Sequence, residues 1–241
     1  MGIRKFYVVI VLIIVILMPG CHGKSELDYK LQQIDSLLNV NPEIAYELIS
    51  GIDTNEIKGR SNREFYTLLL AEARYKNYYD DTIDAGISEA ARYFLKSGDK
   101  RKAARAFFQT GQIKMNQENY GGALISMHEA LENLDSVKDP FIYARINSEI
   151  SRVYFKLHAA PLAVEHEIKA YNNYFKCDTL IFIMETEDAL AKALNNAGAL
   201  EEGKEIALRL LKRAEEVGDT LMIQKALINL SISALLKKDD E

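Results

Sequence analysis

The chain has 241 residues, 48% of them apolar and 27% charged, so it can bury a sizeable core without disulfides or metal. Its formal charge is −5, and because the first twenty residues hold Arg4 and Lys5 but no acid, the remainder carries −5 − 2 = −7. That balance argues against nucleic acid as a partner, since clustered Lys and Arg are needed to displace counterions from phosphates; with only Cys21 and Cys177 present, no disulfide framework is expected either.

Residues 4–18 read RKFYVVIVLIIVILM, two positive charges followed by thirteen uncharged, mostly aliphatic residues. A helix over that apolar stretch is roughly 20 Å long, short of the ~30 Å hydrocarbon layer, so the segment reads as a signal-peptide core rather than a span. Pro19 and Gly20 break it directly before Cys21. The run LMPGC resembles the lipobox of bacterial lipoproteins, and the resemblance implies acylation of the Cys21 thiol, which then becomes the new N-terminus. On this reading residues 1–20 are the signal peptide, 21–27 a flexible tether to a bacterial membrane in the cell envelope, and 28–241 the folded domain. An uncleaved anchor helix starting at residue 4, with Pro19 near the membrane surface, is the alternative.

From residue 26 onward apolar residues recur at helical spacing and no segment reads as a strand. Helices are predicted at about 26–39, 43–51, 62–79, 82–97, 100–117, 120–136, 140–157, 160–175, 179–197, 201–217 and 220–237. Asp99, Asp139, Asp178 and Asp219 stand 40, 39 and 41 residues apart, each where one amphipathic stretch closes and the next opens. They are expected as N-caps whose carboxylates accept the orphan N–H groups of the following helix, with Gly98 and Gly218 supplying left-handed stops. Ala123 with Ala130, Ala163 with Ala170 and Ala207 with Ala214 are each seven residues apart, which puts each pair on one helix face. Small side chains there let a neighbouring helix approach closely.

Upstream of these pairs lie the doublets Leu70-Ala71, Thr110-Gly111, Ile150-Ser151, Leu194-Asn195 and Leu230-Ser231. The pattern resembles the tetratricopeptide repeat, best in Phe107, Gly111, Tyr120, Ala123, Met127 and Ala130, and next in Ile150, Ser151, Tyr154, Ala163 and Ala170. The segment EFYTLLLAEARYKNY ahead of the regular repeats is similar to lipoproteins and membrane regulators of Bacteroides-type bacteria. The fold these resemblances imply is an all-α solenoid of tetratricopeptide-like helix pairs with a period near forty residues, about five pairs plus a terminal single helix.

No phosphate loop, nucleophile elbow or dinucleotide motif occurs. The four histidines lack metal-ligand spacing, and the carboxylates alternate with Lys and Arg as solvated faces do, so neither a metal, a cofactor nor an enzymatic activity is expected. Two aromatic groups, Tyr75 with Tyr78 and Tyr79, and Tyr171 with Tyr174 and Phe175, read either as packing under the turns or as an exposed ligand platform.

In helical-repeat solenoids the first helix of each pair lines the concave surface. The family's groove positions fall here on Arg105, Phe108, Gln112, Met115, Arg145, Ser148, Arg152, Phe155, Lys192 and Asn196. The resemblance implies a non-catalytic, membrane-tethered scaffold that binds a protein or peptide, with the cations of Arg105, Arg145, Arg152 and Lys192 suited to an acidic one. Ordinary solvated helix positions are the plainer reading of the same residues. Two other roles stay open, the sensory half of a regulator and an outer-membrane assembly lipoprotein. The apolar last helix, through Ile228, Ile232 and Leu235, fits a homodimer contact.

Overall fold

The computed structural model describes residues 25–79, 81–134 and 139–239, with side chains described to Lys237. Cys21, the signal peptide, most of the tether and Lys138 lie outside them. The described residues form eleven α-helices and no strand: α1 (Glu26–Leu37), α2 (Pro42–Ser50), α3 (Arg60–Lys76), α4 (Ile87–Ser97), α5 (Lys100–Asn116), α6 (Tyr120–Leu134), α7 (Pro140–Lys156), α8 (Ala160–Lys176), α9 (Leu180–Asn196), α10 (Leu200–Val217) and α11 (Thr220–Asp239). One short 3₁₀ turn, Thr54–Glu56, precedes α3.

The helices run as antiparallel pairs, α1 with α2 through α9 with α10, and α11 stands in the register of a first helix. From α3 onward the period is strict. First helices begin at Arg60, Lys100, Pro140, Leu180 and Thr220, forty residues apart, and second helices at Tyr120, Ala160 and Leu200 keep the same spacing. Each second helix packs on its own first helix and on the next one. First helices also pack on one another at α1–α3, α3–α5, α5–α7 and α9–α11.

Local chemistry fixes the boundaries. Asp99, Asp139 and Asp219 cap as expected, accepting from the N–H groups of Lys102 at 3.1 Å, Ile142 at 3.2 Å and Met222 at 3.1 Å. Asp178 does not. It takes a left-handed backbone (φ 50°), and Thr179 occupies the cap position of α9 with no side-chain hydrogen bond to the helix it opens. The helix expected over 82–97 begins instead at Ile87, because Ala85 and Gly86 both take positive φ (46° and 91°) and turn the chain into it. Lys76 likewise ends α3, and Tyr78, at φ 61°, stands beyond the helix.

The crossings depend on small residues. Ala123, Ala130, Ala163 and Ala170 are fully buried. A Cβ on Gly111 of α5 would come 2.7 Å from Met127 Cγ and 3.3 Å from the carbonyl oxygen of Ala123, so only glycine sits there without a neighbour shifting. Forty residues on, Ser151 occupies the same crossing and donates to the carbonyl oxygen of Ala163 at 2.9 Å. In the next pair the equivalent contact joins Ala191 and Gly203, whose Cβ would lie 3.3 Å from the Ala191 carbonyl oxygen. The doublet Leu194-Asn195 and the pair Ala207 and Ala214 thus lie one turn past the strict register, although both alanines are buried and Ala214 packs beneath α11.

Ala130→Leu and Ala170→Leu are each expected to destabilise the fold by roughly 1–3 kcal/mol, because added volume at a close crossing forces the helices apart. Urea unfolding followed by far-UV circular dichroism measures this, and wild-type midpoints in both variants would contradict the packing.

Candidate functional site

The first helices α1, α3, α5, α7 and α9 together wall a cleft of about 720 Å³. Its apolar lining includes Leu38, Phe108, Phe141, Ile142 and Phe182, and its charged lining comprises Asp35, Glu72, Asp139, Lys76, Arg101, Arg105 and Arg145. Four cations therefore face three carboxylates, on a chain whose net charge is −5.

Most of that charge is already neutralised within the protein. Arg105 forks onto Glu72 and reaches Asp35 at 2.6 Å. Its side chain is 12% exposed and that of Glu72 10%. Burial alone would lower the guanidinium pKa, and the two carboxylates reverse the effect and raise it, which fixes Arg105 as a cation and as a structural tie between α5, α3 and α1. At the rim, Arg101 pairs with Asp139 at 2.9 Å.

Arg145 and Lys76 are the two cations of the cleft for which no carboxylate among the described residues lies within ion-pair distance. The repeat explains the first. Arg105 finds Glu72 33 residues earlier, and the position 33 residues before Arg145 (145 − 33 = 112) is the neutral Gln112. The Arg145 guanidinium lies instead over two aromatic rings, 4.7 Å from the centre of Tyr75 and 5.9 Å from that of Phe108. Tyr75 donates its hydroxyl to Glu149 at 3.1 Å, and burial, followed by Glu149, pushes its pKa up to about 12, so the ring stays neutral. Lys76 donates to Asn39 at 2.9 Å. Burial, and after it the neighbouring Arg145, pulls its ammonium down to about 8. Lys76 carries no sequence signal, because it lies ahead of the units that match the repeat pattern. The register that would have found it is visible only with the helix ends in place: Lys76, Asn116, Lys156 and Asn196 each close a first helix, forty residues apart.

The other expected groove residues divide. Phe108 lines the cleft and is buried. Gln112 is buried beside it, its Oε1 accepting from Arg152 at 3.1 Å while its Nε2 makes no hydrogen bond. Arg152 also meets Glu149 at 2.5 Å. Lys192 is paired within α9 to Asp188 at 2.7 Å, and Asn196 donates to the Lys192 carbonyl at 3.0 Å; neither lines the cleft. The expected row of free cations is thus a set of intramolecular pairs at Arg105, Arg152 and Lys192, formed because acids on the same or the adjacent helix reach them first.

The aromatic groups divide between packed and exposed positions. Tyr75 and Tyr174 are packed inside, whereas Tyr78 is 93% exposed and Tyr79 meets Tyr46 at a tilt of 38° with centroids 5.2 Å apart. A feature with no sequence signal is Glu167, fully buried on α8 at the place where the α6 repeat has Met127 (127 + 40 = 167). Burial pushes its carboxyl up to about 8, with bonds from Ser151 and Ser148 opposing. Burial raises the Cys177 thiol, and Asp139 adds to that, which makes it a poor nucleophile.

No protein-family model matches the chain, and a search of curated proteins returned no match. Among solved structures it is similar to the apo form of RapI, at TM-score 0.68 and 15% identity over 89% of this chain and 62% of that one. It is also similar to a signal transduction ATPase with numerous domains (STAND) that carries a tetratricopeptide repeat sensor, from Pyrococcus horikoshii, at TM-score 0.67 and 19% identity over 88% of this chain and 33% of that one. A third is the Rap conjugation gene regulator of the plasmid pLS20 in complex with the Phr* peptide, at TM-score 0.53 and 16% identity over 88% and 59%. The chain spans about 60% of the length of the two Rap structures. At these identities the likeness concerns the fold, which is that of a tetratricopeptide-like helical-repeat solenoid.

Proposed function

We propose that this protein is a non-catalytic scaffold that binds a protein or peptide in the cleft of its first helices, and that an acidic group of the ligand is taken between Arg145 and Lys76. The observation that carries the reading is the pairing pattern: among the described residues, every other cation of the cleft has a carboxylate of this chain against it, and these two do not. A carboxylate placed there meets a charge already desolvated and aligned by Tyr75 and Phe108, beside apolar walls that hold neighbouring side chains. The Rap regulator with its Phr* peptide offers a precedent for peptide binding on this fold. A sensory role is the second reading, favoured by the likeness to the STAND protein with its repeat sensor. Tethering through lipid on Cys21 completes the proposal and rests on the LMPGC run.

The full chain, solubilised in detergent, is to be tested against a pool of acidic and basic peptides. Acidic peptides are expected to be retained, and Lys76→Glu/Arg145→Glu should weaken retention at least tenfold, since each direct charge-assisted bond contributes roughly 1.5–3 kcal/mol. Retention should also fall as pH rises above about 8, where Lys76 loses its proton. Lys169→Glu, on exposed α8, should leave it unchanged. Arg105→Ala should act differently, costing about 3–5 kcal/mol of stability because Glu72 and Asp35 are left unpaired. Equal retention by wild type and the Lys76/Arg145 variant, with helicity intact, would remove the cleft from consideration.

For the tether, Cys21→Ser is expected to abolish incorporation of radiolabelled palmitate and to shift the chain out of the lipid-modified membrane fraction. Undiminished labelling of that variant would exclude Cys21 as the anchor.

A further inference from the structure

The helix α11 is built inside out. Its inward face holds Met222, Ala226, Asn229 and Ser233, all buried, and the last two are polar. Asn229 donates to Asp188 Oδ1 at 2.8 Å, Asn195 donates to the Asn229 carbonyl at 3.1 Å, and Ser233 donates to Asn195 Oδ1 at 2.8 Å. This network fixes the register of α11 against α9. The outward face carries Leu221, Leu227, Ile228, Ile232, Leu235 and Leu236, each between 37% and 65% exposed. No other helix exposes more than three large apolar side chains among the described residues. A helix apolar on its solvent side calls for a cover. In every earlier pair the second helix supplies one for the first, and no described residue does so for α11.

We infer that the cover is a second copy of this chain, docked on α11 about a two-fold axis near Ile228. Three observations select a second copy over an unrelated partner. The stripe is symmetric: Leu221 and Leu235 lie seven residues on either side of Ile228, so an antiparallel copy sets Leu221 against the partner's Leu235 and Ile228 against its own counterpart. It also carries no charge to repel itself. Lys225 is the one charged residue from Thr220 to Leu236, and it points to the side, towards Asp188 at 3.8 Å. Finally, the surface is broad, because beside the stripe α10 and α11 enclose a groove of about 500 Å³ lined by Leu200, Leu208, Leu230 and Ala234, with Lys204 and the Lys237–Glu201 ion pair (2.6 Å) also in its lining. The six aliphatic side chains expose the equivalent of about three whole ones per copy, a patch at the scale of interaction surfaces rather than of scattered exposed residues.

The full chain is to be examined by sedimentation equilibrium in a detergent matched to the solvent density, up to about 100 μM. A dimer is expected, and Ile228→Glu, at a site already half exposed, should convert it to a monomer with unchanged helicity. Ile228→Cys, oxidised and mapped by peptide mass spectrometry, should yield a disulfide between the two copies of residue 228. Leu221→Cys/Leu235→Cys should link 221 of one copy to 235 of the other; within one chain these are about 21 Å apart along the helix and cannot meet. A monomeric wild type at 100 μM, a dimer that survives Ile228→Glu, or the absence of the 228–228 link overturns the inference.

Discussion

Two helices can stack at close range, pair after pair, only if something small stands where their axes approach, and here that constraint recurs every forty residues. Gly111 against Ala123, Ser151 against Ala163 and Ala191 against Gly203 are the same contact made three ways. In the first and third a missing side chain makes room, and in the second a hydroxyl fills the room and satisfies a carbonyl. The contact fixes how the two helices of a pair lie against one another, and because each second helix also packs on the next first helix, it carries through to which residues of successive first helices face one another across the cleft. Side chains far from the cleft thereby determine its lining.

A strict repeat would make every pair alike, and specificity enters where the residues break it. The Arg105 position recurs at Arg145, but its carboxylate partner Glu72 recurs as Gln112, and one substitution in the series turns a structural tie into an unneutralised cation. Glu167 breaks the pattern in another way, placing an acid where Met127 fills the core and keeping it protonated by burial well above the usual carboxylate range. At the far end Asn229 and Ser233 join Met222 and Ala226 on the inward face of α11, while six large aliphatic residues stay exposed on its outward face. The cleft and the α11 surface lie on different parts of the solenoid and involve different side chains.

The helices and their pairing were legible in the sequence because they rest on period: seven between paired alanines, forty between capping aspartates. Where a boundary rests on a single backbone angle the period says nothing: the left-handed Asp178 breaks the series of caps, and Ala85 and Gly86 start α4 five residues later than the pattern predicts. The cleft was legible in part. Arg105, Phe108 and Arg145 were placed on the correct face, since facing follows from helical phase. Whether a given cation is free does not follow from phase. It depends on which acid is within reach: Glu72, 33 residues before Arg105 on the neighbouring helix, or Glu149 and Asp188, one turn before Arg152 and Lys192 on their own helices.

The central claim of the proposal is that ligand enters the cleft between the first helices, with its acidic group between Lys76 of α3 and Arg145 of α7. Site-specific photocrosslinking tests it most directly. A benzophenone amino acid placed at Ile142, inside the cleft, should capture bound ligand, and the same group at Leu162, exposed on the second-helix layer, should capture none. Capture from Leu162 with silence at Ile142 would contradict the account and place recognition on the opposite face of the solenoid.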